Sequence, residues 1–480
     1  MSGVGRIALF GKSHELWPVA ALLGRDLPSG TELVAVEDTD PVGPAAVTIR
    51  LDDPFLARLG IDADELRETE SALFALGTIL QDWTGDGSRY FHCGSGSLPA
   101  IEHVDIHQIM LRAALTYNQP ERLAYLYQPF RLPARAAEAG KFAFQSSDPR
   151  SPLSMLRPTV QIDRIDYAAL CRSRLTPDRV EVIQARPEAA QYRKENGTIS
   201  GVLLDNQQMV EADFFIDMSG GLSDAMPAHP RADWQPIAGL PFDRLLSGKN
   251  PASRYDSKNH NIARAVDGGL YLATMIRDTS ISSLLYASSD RTDAAAQKLL
   301  DGDAQPEPFE PGYVRQPWLG NLVRLGRASA RFGPFLSADT ILLQRQAMIL
   351  ADHLPARQDM TVEAREFNRR HLLLAEQIRD FMLLPFALNR RSDPVWSAMR
   401  ESRRPDSLAT RIDQFRSRGR FVAFEGEIFD EQSWLDLLIG FGTVPERYDP
   451  MARSLDMGMM ARRLKKLTVA FDQALASLSD

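Results

Sequence analysis

Short apolar runs that end at glycine or at an acidic residue recur along this chain and predict buried parallel strands. The first covers residues 6–11 and the second residues 32–38, with a helix-like stretch at residues 17–23 between them. This order of strand, turn, helix and strand, with an acid about twenty positions after the turn, is typical of a dinucleotide-binding βαβ unit. Residues 212–221 and 321–326 are further apolar runs that break at glycine. Because the runs are far apart, they favour one discontinuous α/β sheet domain interrupted by insertions.

Other segments of the N-terminal two-thirds have weaker patterns. Residues 179–185 predict a strand, residues 198–211 a hairpin, and residues 340–354 a helix. Residues 300–311 are rich in Asp, Glu and Pro, and they predict an exposed loop. No internal repeat is evident, so a repeat architecture is not indicated.

The last quarter of the chain has a helical pattern. Thr361 is the predicted N-cap of a long helix, because acids follow in its first turns and apolar residues recur at helical spacing. Pro385 is expected to end this helix, and residues 407–418, 433–439 and 452–478 predict further helices. We therefore expect an α/β domain with an inserted sheet over residues 1–360 and a helical region over residues 361–480.

Composition and charge indicate an ordinary soluble globular protein. The 480 residues include 55 Lys and Arg against 63 Asp and Glu, a net charge of −8, and 44% are hydrophobic. This balance argues against nucleic acid as a partner, because nucleic-acid binding normally needs a basic field. The one basic cluster, nine arginines within residues 389–420, is interpreted as a solvated helical face.

Cysteine content and hydropathy limit the other possibilities. Cys93 and Cys171 are the only cysteines, which excludes a disulfide framework and a four-thiolate metal site. No stretch has the roughly 20 apolar residues that a membrane span requires, and the N-terminus lacks the apolar run of a signal peptide. We expect a cytoplasmic protein with no membrane partner.

Several short sequence motifs along the chain resemble those of a known protein family. They include Asp-Phe-Phe-Ile-Asp-Met-Ser-Gly at residues 213–220, Ser-Asp-Pro-Val-Trp at 392–396 and Val-Pro-Glu-Arg-Tyr-Asp-Pro at 444–450. Further motifs that share this resemblance lie at residues 55–62, 74–77, 333–337, 366–368, 376–381 and 405–408. Together they resemble the flavin-dependent tryptophan halogenases, in family order and over nearly the whole chain. The resemblance implies an FAD-binding fold of the aromatic-hydroxylase kind with a mainly α-helical C-terminal region.

The resemblance also implies a chemistry. Halogenases of this family take reduced flavin from a separate flavin reductase, form a flavin hydroperoxide with oxygen, and oxidise chloride or bromide to hypohalous acid. The oxidant passes through a tunnel to a lysine beside the aromatic substrate, and a glutamate completes the site.

The phosphate turn of the family is only partly kept. The Gly-x-Gly-x-x-Gly-Trp motif of the family aligns with residues 11–17, where only the first glycine, Gly11, and the tryptophan remain. Ser13 and Leu16 replace the second and third glycines, which allow close approach of the pyrophosphate and of the helix. Glu15 adds a negative charge where a helix N-terminus should receive phosphate. Glu37 matches the acid that bonds the ribose, or is an ordinary surface acid after a strand.

The catalytic residues of the family are replaced. By resemblance, the lysine position is Ala75 and the glutamate position is Leu336, and neither side chain can act as an acid, a base or a hydrogen-bond donor. Asp339 lies close to the expected halide cradle, where a carboxylate would repel chloride. Residues 270–275 align with the family motif that lines the tunnel (the tunnel motif), and they lack both of its tryptophans. The resemblance also places Gly326 and Ser337, with Gly11, Ser13 and Glu37, among the candidate cofactor-binding residues.

Two other kinds of site were weighed. His103 and His107 are spaced to share a helical face, with His92 and Cys93 nearby, but ordinary structural histidines are favoured over a metal site. Residues 94–98 are rich in glycine and serine, and they lack the Lys-Ser/Thr ending of a phosphate-binding loop. We therefore predict no metal site.

Three functional hypotheses follow. The first is a degenerate family member, a pseudoenzyme that does not halogenate and acts as a non-catalytic or altered partner, in a homo-oligomer or with an intact halogenase homologue. The second is an active FAD-dependent tryptophan or indole halogenase that uses displaced residues and a flavin reductase. The third is a flavin-free module that binds an aromatic small molecule.

Overall fold

The computed structural model describes residues 4–28, 30–40, 43–93, 98–225, 234–251, 259–300, 304–355 and 359–478. Its strands are β1 Arg6–Lys12, β2 Glu32–Asp38, β3 Ala46–Arg50, β4 Leu73–Ala75, β5 Thr78–Gln81, β6 Arg89–His92, β7 Thr159–Asp163, β8 Val180–Gln184, β9 Pro187–Tyr192, β10 Ile199–Leu204, β11 Met209–Glu211, β12 Phe214–Asp217, β13 Trp234–Pro236, β14 Arg244–Pro251, β15 Asn261–Val266, β16 Gly269–Ile276, β17 Thr279–Tyr286, β18 Glu307–Pro308, β19 Gly312–Val314, β20 Trp318–Leu319, β21 Leu322–Arg324 and β22 Ala330–Arg331.

The α-helices are α1 Ser13–Asp26, α2 Pro54–Leu59, α3 Ala63–Glu68, α4 Ile106–Thr116, α5 Leu123–Tyr127, α6 Leu132–Glu138, α7 Arg164–Arg172, α8 Gly221–Asp224, α9 Asp293–Leu300, α10 Ala338–Asp352, α11 Thr361–Leu388, α12 Pro394–Glu401, α13 Asp406–Arg418, α14 Glu431–Gly440, α15 Pro450–Arg453 and α16 Met457–Ala476. Short 3₁₀ turns include Gly326–Ala328 and Phe335–Ser337. None of the helices in the described ranges has both the length and the apolar run that crossing a membrane requires.

A mostly parallel sheet forms the centre of the α/β part, with strand order β20-β21-β12-β1-β2-β8. Strand β1 pairs in parallel with both β2 and β12, and β12 pairs in parallel with β21. The middle residues of β1 are buried on both faces, which explains why the strand is a continuous apolar run. The apolar runs at residues 6–11, 32–38, 212–221 and 321–326 thus predicted four strands of one sheet correctly.

The two faces of this sheet have different coverings. On one face, Leu9 and Ile216 of the sheet share a buried cluster with Trp17 of α1 and Leu343 of α10. On the other face, Phe10 and other sheet residues pack against the small antiparallel sheet β11-β10-β9. Because both faces are buried, the sheet positions the carboxyl ends of β1 and β12 rigidly, next to the start of α1.

A second large sheet lies between the α/β part and the C-terminal helices, with strand order β18-β14-β17-β16-β15-β5-β6. One buried cluster contains residues from this sheet, from α10, and from helices α11 to α14. At its centre the Trp83 ring lies 5.7 Å from Phe335, 5.2 Å from Phe386 and 5.0 Å from Trp396, measured between ring centroids. The cluster includes residues on both sides of position 360, and the division into two domains at that position stays a prediction.

Three predictions about helices and loops need correction. Pro385 does not end its helix, since α11 continues to Leu388 and its last two turns are buried by tertiary packing, which offsets the lost backbone hydrogen bond. The predicted helix at residues 452–478 is divided, because Asp456 caps a new helix by accepting a hydrogen bond from the Met459 N–H. Within the predicted loop at residues 300–311, Glu307–Pro308 pair with β14.

The arginine-rich segment is a solvated face only in part, because five of its nine arginines are exposed and two are buried. Arg411 is only 3% exposed, forms an ion pair with Glu427, and stacks over the ring of Phe424. Arg391 is 8% exposed and lies between three carboxylates, those of Asp82, Asp267 and Asp393. The charge pattern was misleading for these two arginines because most of their acidic partners lie beyond the reach of local helical spacing.

Candidate cofactor and active site

The junction between β1 and α1 is the place where the phosphate turn of a dinucleotide-binding unit would lie. Strand β1 ends at Lys12, and α1 begins directly at Ser13 without an intervening loop. Gly11 lies against Met218, the residue that follows β12, because a Cβ atom at Gly11 would lie 3.2 Å from the Met218 Cβ. Leu16, at the position of the third glycine, is fully buried between helix and sheet. The two remaining turn features, the first glycine and the tryptophan, therefore both have packing roles.

A buried carboxyl group occupies the first turn of α1. Glu15 is 4% exposed, and its Oε2 atom has no hydrogen-bond partner among the described residues. Burial raises the pKa of Glu15 to about 7, although the nearby Arg327 and Arg164 act in the opposite direction. Burial also lowers the pKa of the neighbouring His14, so this imidazole is neutral at physiological pH. The helix N-terminus thus faces an acid of its own chain.

The other cofactor candidates lie around this junction. Gly326 has a φ of 49°, and its N–H donates to the Oε1 atom of Gln346 at 2.7 Å. The Glu15 Oε1 atom lies 3.9 Å from the position that a Gly326 Cβ would take, so these two residues face each other. Glu37, at the end of β2, accepts a hydrogen bond from the Trp17 Nε1 at 3.0 Å. A role for Glu37 in ribose binding stays a prediction.

Leu336 and Ser337 lie in an unusual turn before α10. Both have left-handed backbone conformations, with φ values of 53° and 59°, which are rare for residues other than glycine. They line a cavity of about 80 Å³ together with Thr78, Asn261 and Asp339. No sequence signal for this conformation was recognised, since Leu and Ser are not typical of it. Residues in such conformations persist only where the surrounding structure holds them in place, and they cluster at functional sites.

Ala75 is not part of that cavity. It is the last residue of β4, is fully buried, and pairs with Thr159 of β7. The lining residue nearest to Ala75 in sequence is Thr78, three residues later. The structure therefore brings Leu336, Ser337 and Asp339 together and leaves Ala75 outside their shared cavity.

Asp339 is the acidic residue of the cavity. Its Oδ1 atom accepts hydrogen bonds from the backbone N–H groups of Phe332 at 2.8 Å and Gly333 at 3.0 Å. Burial raises the pKa of Asp339 to about 6, despite these bonds and the nearby Arg327. The carboxyl group therefore uses two backbone amides that precede α10. Leu272 and Thr274, from the stretch aligned with the tunnel motif, line the same cavity.

Comparison with known proteins decides the family. Residues 6–457 match the sequence model described as tryptophan halogenase. This chain belongs to the tryptophan halogenase family. It is 23% identical to tryptophan 7-halogenase RebH of Lentzea aerocolonigenes over 94% of this chain and 92% of that protein. It is 24% identical to tryptophan 6-halogenase ThaL of Streptomyces albogriseolus over 86% and 82% of the two chains.

Solved structures confirm the fold class for this halogenase family member. BrvH, a flavin-dependent halogenase from Brevundimonas sp. BAL3, superposes with a TM-score of 0.88 at 25% identity, covering 99% of this chain and 98% of that chain. Xcc4156, a flavin-dependent halogenase from Xanthomonas campestris, gives 0.87 at 23% identity and covers 100% and 97%. The FAD-binding-type sheet with a helical C-terminal region is therefore confirmed.

The histidines weighed as metal ligands do not form one site. His103 has a φ of 64° in the turn before α4, whereas His107 lies inside α4, so the two do not share a helical face. His92 and Cys93 instead lie beside the buried pair of Arg131 and Asp436. The predicted loop at residues 94–98 falls mostly outside the described residues.

Proposed function

We propose that this member of the tryptophan halogenase family does not halogenate and acts as a non-catalytic or altered partner, beside a second copy or an intact homologue. The observation that carries the proposal is the buried Glu15 carboxyl group at the start of α1, opposite Gly326. A pyrophosphate placed there would meet a carboxylate that has no counter-ion within hydrogen-bonding distance in the described structure. Leu16 fills the space that the third glycine leaves open in the family.

The residues at the β1–α1 junction therefore do not fit the phosphates of FAD. The positions of the family's lysine and glutamate, Ala75 and Leu336, carry no group that can exchange a proton. Both replacements are apolar, and Ala75 is fully buried while Leu336 is partly buried against the core. The chain keeps the fold of the family but not the family's residues at Ala75 and Leu336. This combination favours a role that depends on the fold rather than on halogenation. Its location in the cytoplasm stays a prediction.

We expect the purified protein to be colourless and to bind FAD without saturation in a titration. The reason is the electrostatic and steric obstruction by Glu15 and Leu16 at the phosphate turn. Visible absorbance as isolated, followed by quenching of flavin fluorescence on titration, measures this directly, with RebH as a positive control. A yellow protein, or saturable FAD binding, would contradict the proposal.

We also expect no halogenated product from tryptophan or indole. The assay contains flavin reductase, NADH, FAD, oxygen and either chloride or bromide, and products are detected by mass spectrometry. Samples without this chain define the background. Product above that background would show that the chain is active in spite of Ala75 and Leu336.

A second candidate is an active flavin-dependent halogenase that uses a displaced carboxyl group. Asp339 favours it, because this acid lines the same cavity as Leu336 and has a pKa of about 6. If product forms, the Asp339→Asn variant decides its origin. This variant would abolish the product if Asp339 had taken over the role of the glutamate. The aromatic-ligand module is less well supported, since the cavity of about 80 Å³ is far below the roughly 300 Å³ of ordinary ligand pockets.

A further inference from the structure

A second cavity, of about 420 Å³, lies between the start of α4 and the start of α14. Asp105, the residue before α4, His107 in its first turn, and Glu431, the first residue of α14, all line it. One ligand atom from each of these three side chains lies within 4.8 Å of the other two. The fold brings its two acids together from segments more than three hundred residues apart, and none of the cofactor candidates lines this cavity.

The imidazole of His107 is oriented for coordination. It is 4% exposed, and its Nε2 lies 2.9 Å from the carbonyl oxygen of Gly419. A carbonyl can only accept, so Nε2 carries the proton and the lone pair lies on Nδ1. The Gln108 amide nitrogen also lies 3.2 Å from this Nε2, but its two protons are directed to the carbonyls of Arg418 at 3.2 Å and Gly419 at 2.6 Å, which leaves the Nε2 proton for Gly419. A backbone carbonyl behind the far nitrogen is the usual support of a metal-ligating histidine.

The Nδ1 atom of His107 and the two carboxylates form no hydrogen bond or ion pair with any other residue that the structure describes. Asp105 precedes α4 at the N-cap position, yet its side chain does not cap the helix. Glu431 leaves the capping of α14 to Asp430. Asp is among the best N-cap residues, yet the Asp105 carboxylate does not cap α4. It is therefore available to bind a cation.

The charges around the cavity favour a cation. Asp105, Glu431, Asp430 and Asp449 contribute negative charge, and Arg420, which pairs with Asp449, is the positive side chain that lines the cavity. Burial raises the pKa of Glu431, and repulsion by Asp105 and Asp430 adds to this effect while Arg420 opposes it. A bound cation would remove this repulsion.

We propose that Asp105, His107 and Glu431 bind one Zn²⁺ ion, with water completing its coordination. Zinc commonly takes nitrogen and carboxylate oxygen ligands at about 2.0–2.2 Å, which places tetrahedral ligand atoms about 3.3 Å apart. Ligand atoms already within 4.8 Å reach that spacing by small side-chain rotations. An imidazole ligand favours zinc and its neighbours over Mg²⁺ or Ca²⁺, which prefer oxygen alone. The ion would join α4 to α14 of the C-terminal helical region.

Zn²⁺ titration of the full chain, after chelator treatment and in competition with a chromogenic chelator, tests the site. We expect one equivalent to bind, and we expect Asp105→Asn and Glu431→Gln each to weaken binding by more than about 10-fold. Glu121→Gln, which alters an exposed acid with no ion pair to any residue that the structure describes, is the matched control and keeps wild-type affinity. Both test variants change exposed carboxylates, so the metal-free proteins should melt at the wild-type temperature.

Co²⁺ substitution gives a readout that does not depend on variants. Co²⁺ bound to one nitrogen and two carboxylates should produce visible ligand-field bands, and Zn²⁺ should displace them. Absence of saturable Zn²⁺ binding, absence of these bands, or variants that bind like the wild type would each overturn the proposal. The outcome is independent of whether the chain halogenates, because neither FAD nor tryptophan takes part in the measurement.

Discussion

Replacing Glu15 by glutamine is expected to stabilise the protein by about 3 kcal/mol at pH 8 and to change its stability little near pH 4.5. The physical reason is burial, which raises the pKa of Glu15 from 4.5 in the unfolded chain to about 7 in the folded one. A group whose folded pKa is raised binds its proton more tightly in the folded state. Its stabilising contribution is present below pH 4.5 and is lost as the pH rises through 7. Glutamine stays neutral at every pH and removes that loss.

Urea unfolding at pH 5 and at pH 8, followed by circular dichroism, measures the difference. Glu188→Gln is the control, since this exposed acid is expected to change stability by less than about 0.5 kcal/mol at either pH. If Glu15→Gln changed the free energy of unfolding equally at both pH values, Glu15 would not be an acid with a raised pKa. Asp339 also contributes to the remaining pH dependence, because burial raises its pKa to about 6.

Replacing Asp436 by asparagine is expected to lower the free energy of unfolding by about 3–5 kcal/mol. Asp436 is fully buried in α14, where it accepts hydrogen bonds from the Arg131 guanidinium and from the Cys93 N–H. Arg131 is 3% exposed, so the substitution leaves an uncompensated positive charge in the interior. Urea unfolding at neutral pH, with the wild type measured in parallel, gives the loss.

A neighbouring exposed pair provides the control for Asp436. Arg135 of α6 pairs with Asp472 of α16, whose side chain is 60% exposed. Asp472→Asn is expected to cost less than about 1 kcal/mol, because exposed ion pairs are screened by solvent. The double variant Arg131→Met with Asp436→Leu should recover much of the stability, since it removes both buried charges together. A loss below about 1 kcal/mol for Asp436→Asn would show that water reaches Arg131.

Local sequence patterns predicted the strands of the central sheet, whose neighbouring strands are also apolar runs. The central strands were found because strands buried on both faces must be apolar along their whole length, and glycine marks the end of several of them. The left-handed backbone at Leu336 and Ser337 was not predicted, since tertiary packing imposes it against local preference.

Features that depend on distant partners were missed. The burial of Arg411 requires Glu427 and three aromatic rings that follow the end of α13, so helical spacing around Arg411 does not reveal them. The His103 and His107 spacing suggested a shared helical face because the start of α4 was unknown. The helix begins after Asp105, so His107 instead meets Glu431, which is more than three hundred residues away. Geometry of this kind is fixed by the fold and not by spacing along the chain.

The strand order of the central sheet has a consequence for synthesis on the ribosome. Strand β1 needs β12 as its parallel neighbour, and β12 follows about 200 residues later, which at 5–20 residues per second corresponds to roughly 10–40 s. The outer neighbour of β12, strand β21, is made later still. During this interval the apolar edge of β1 has no permanent cover, so the nascent chain is a natural client for chaperones. Slower translation of the segment before β12 should therefore increase aggregation more than slower translation after β21.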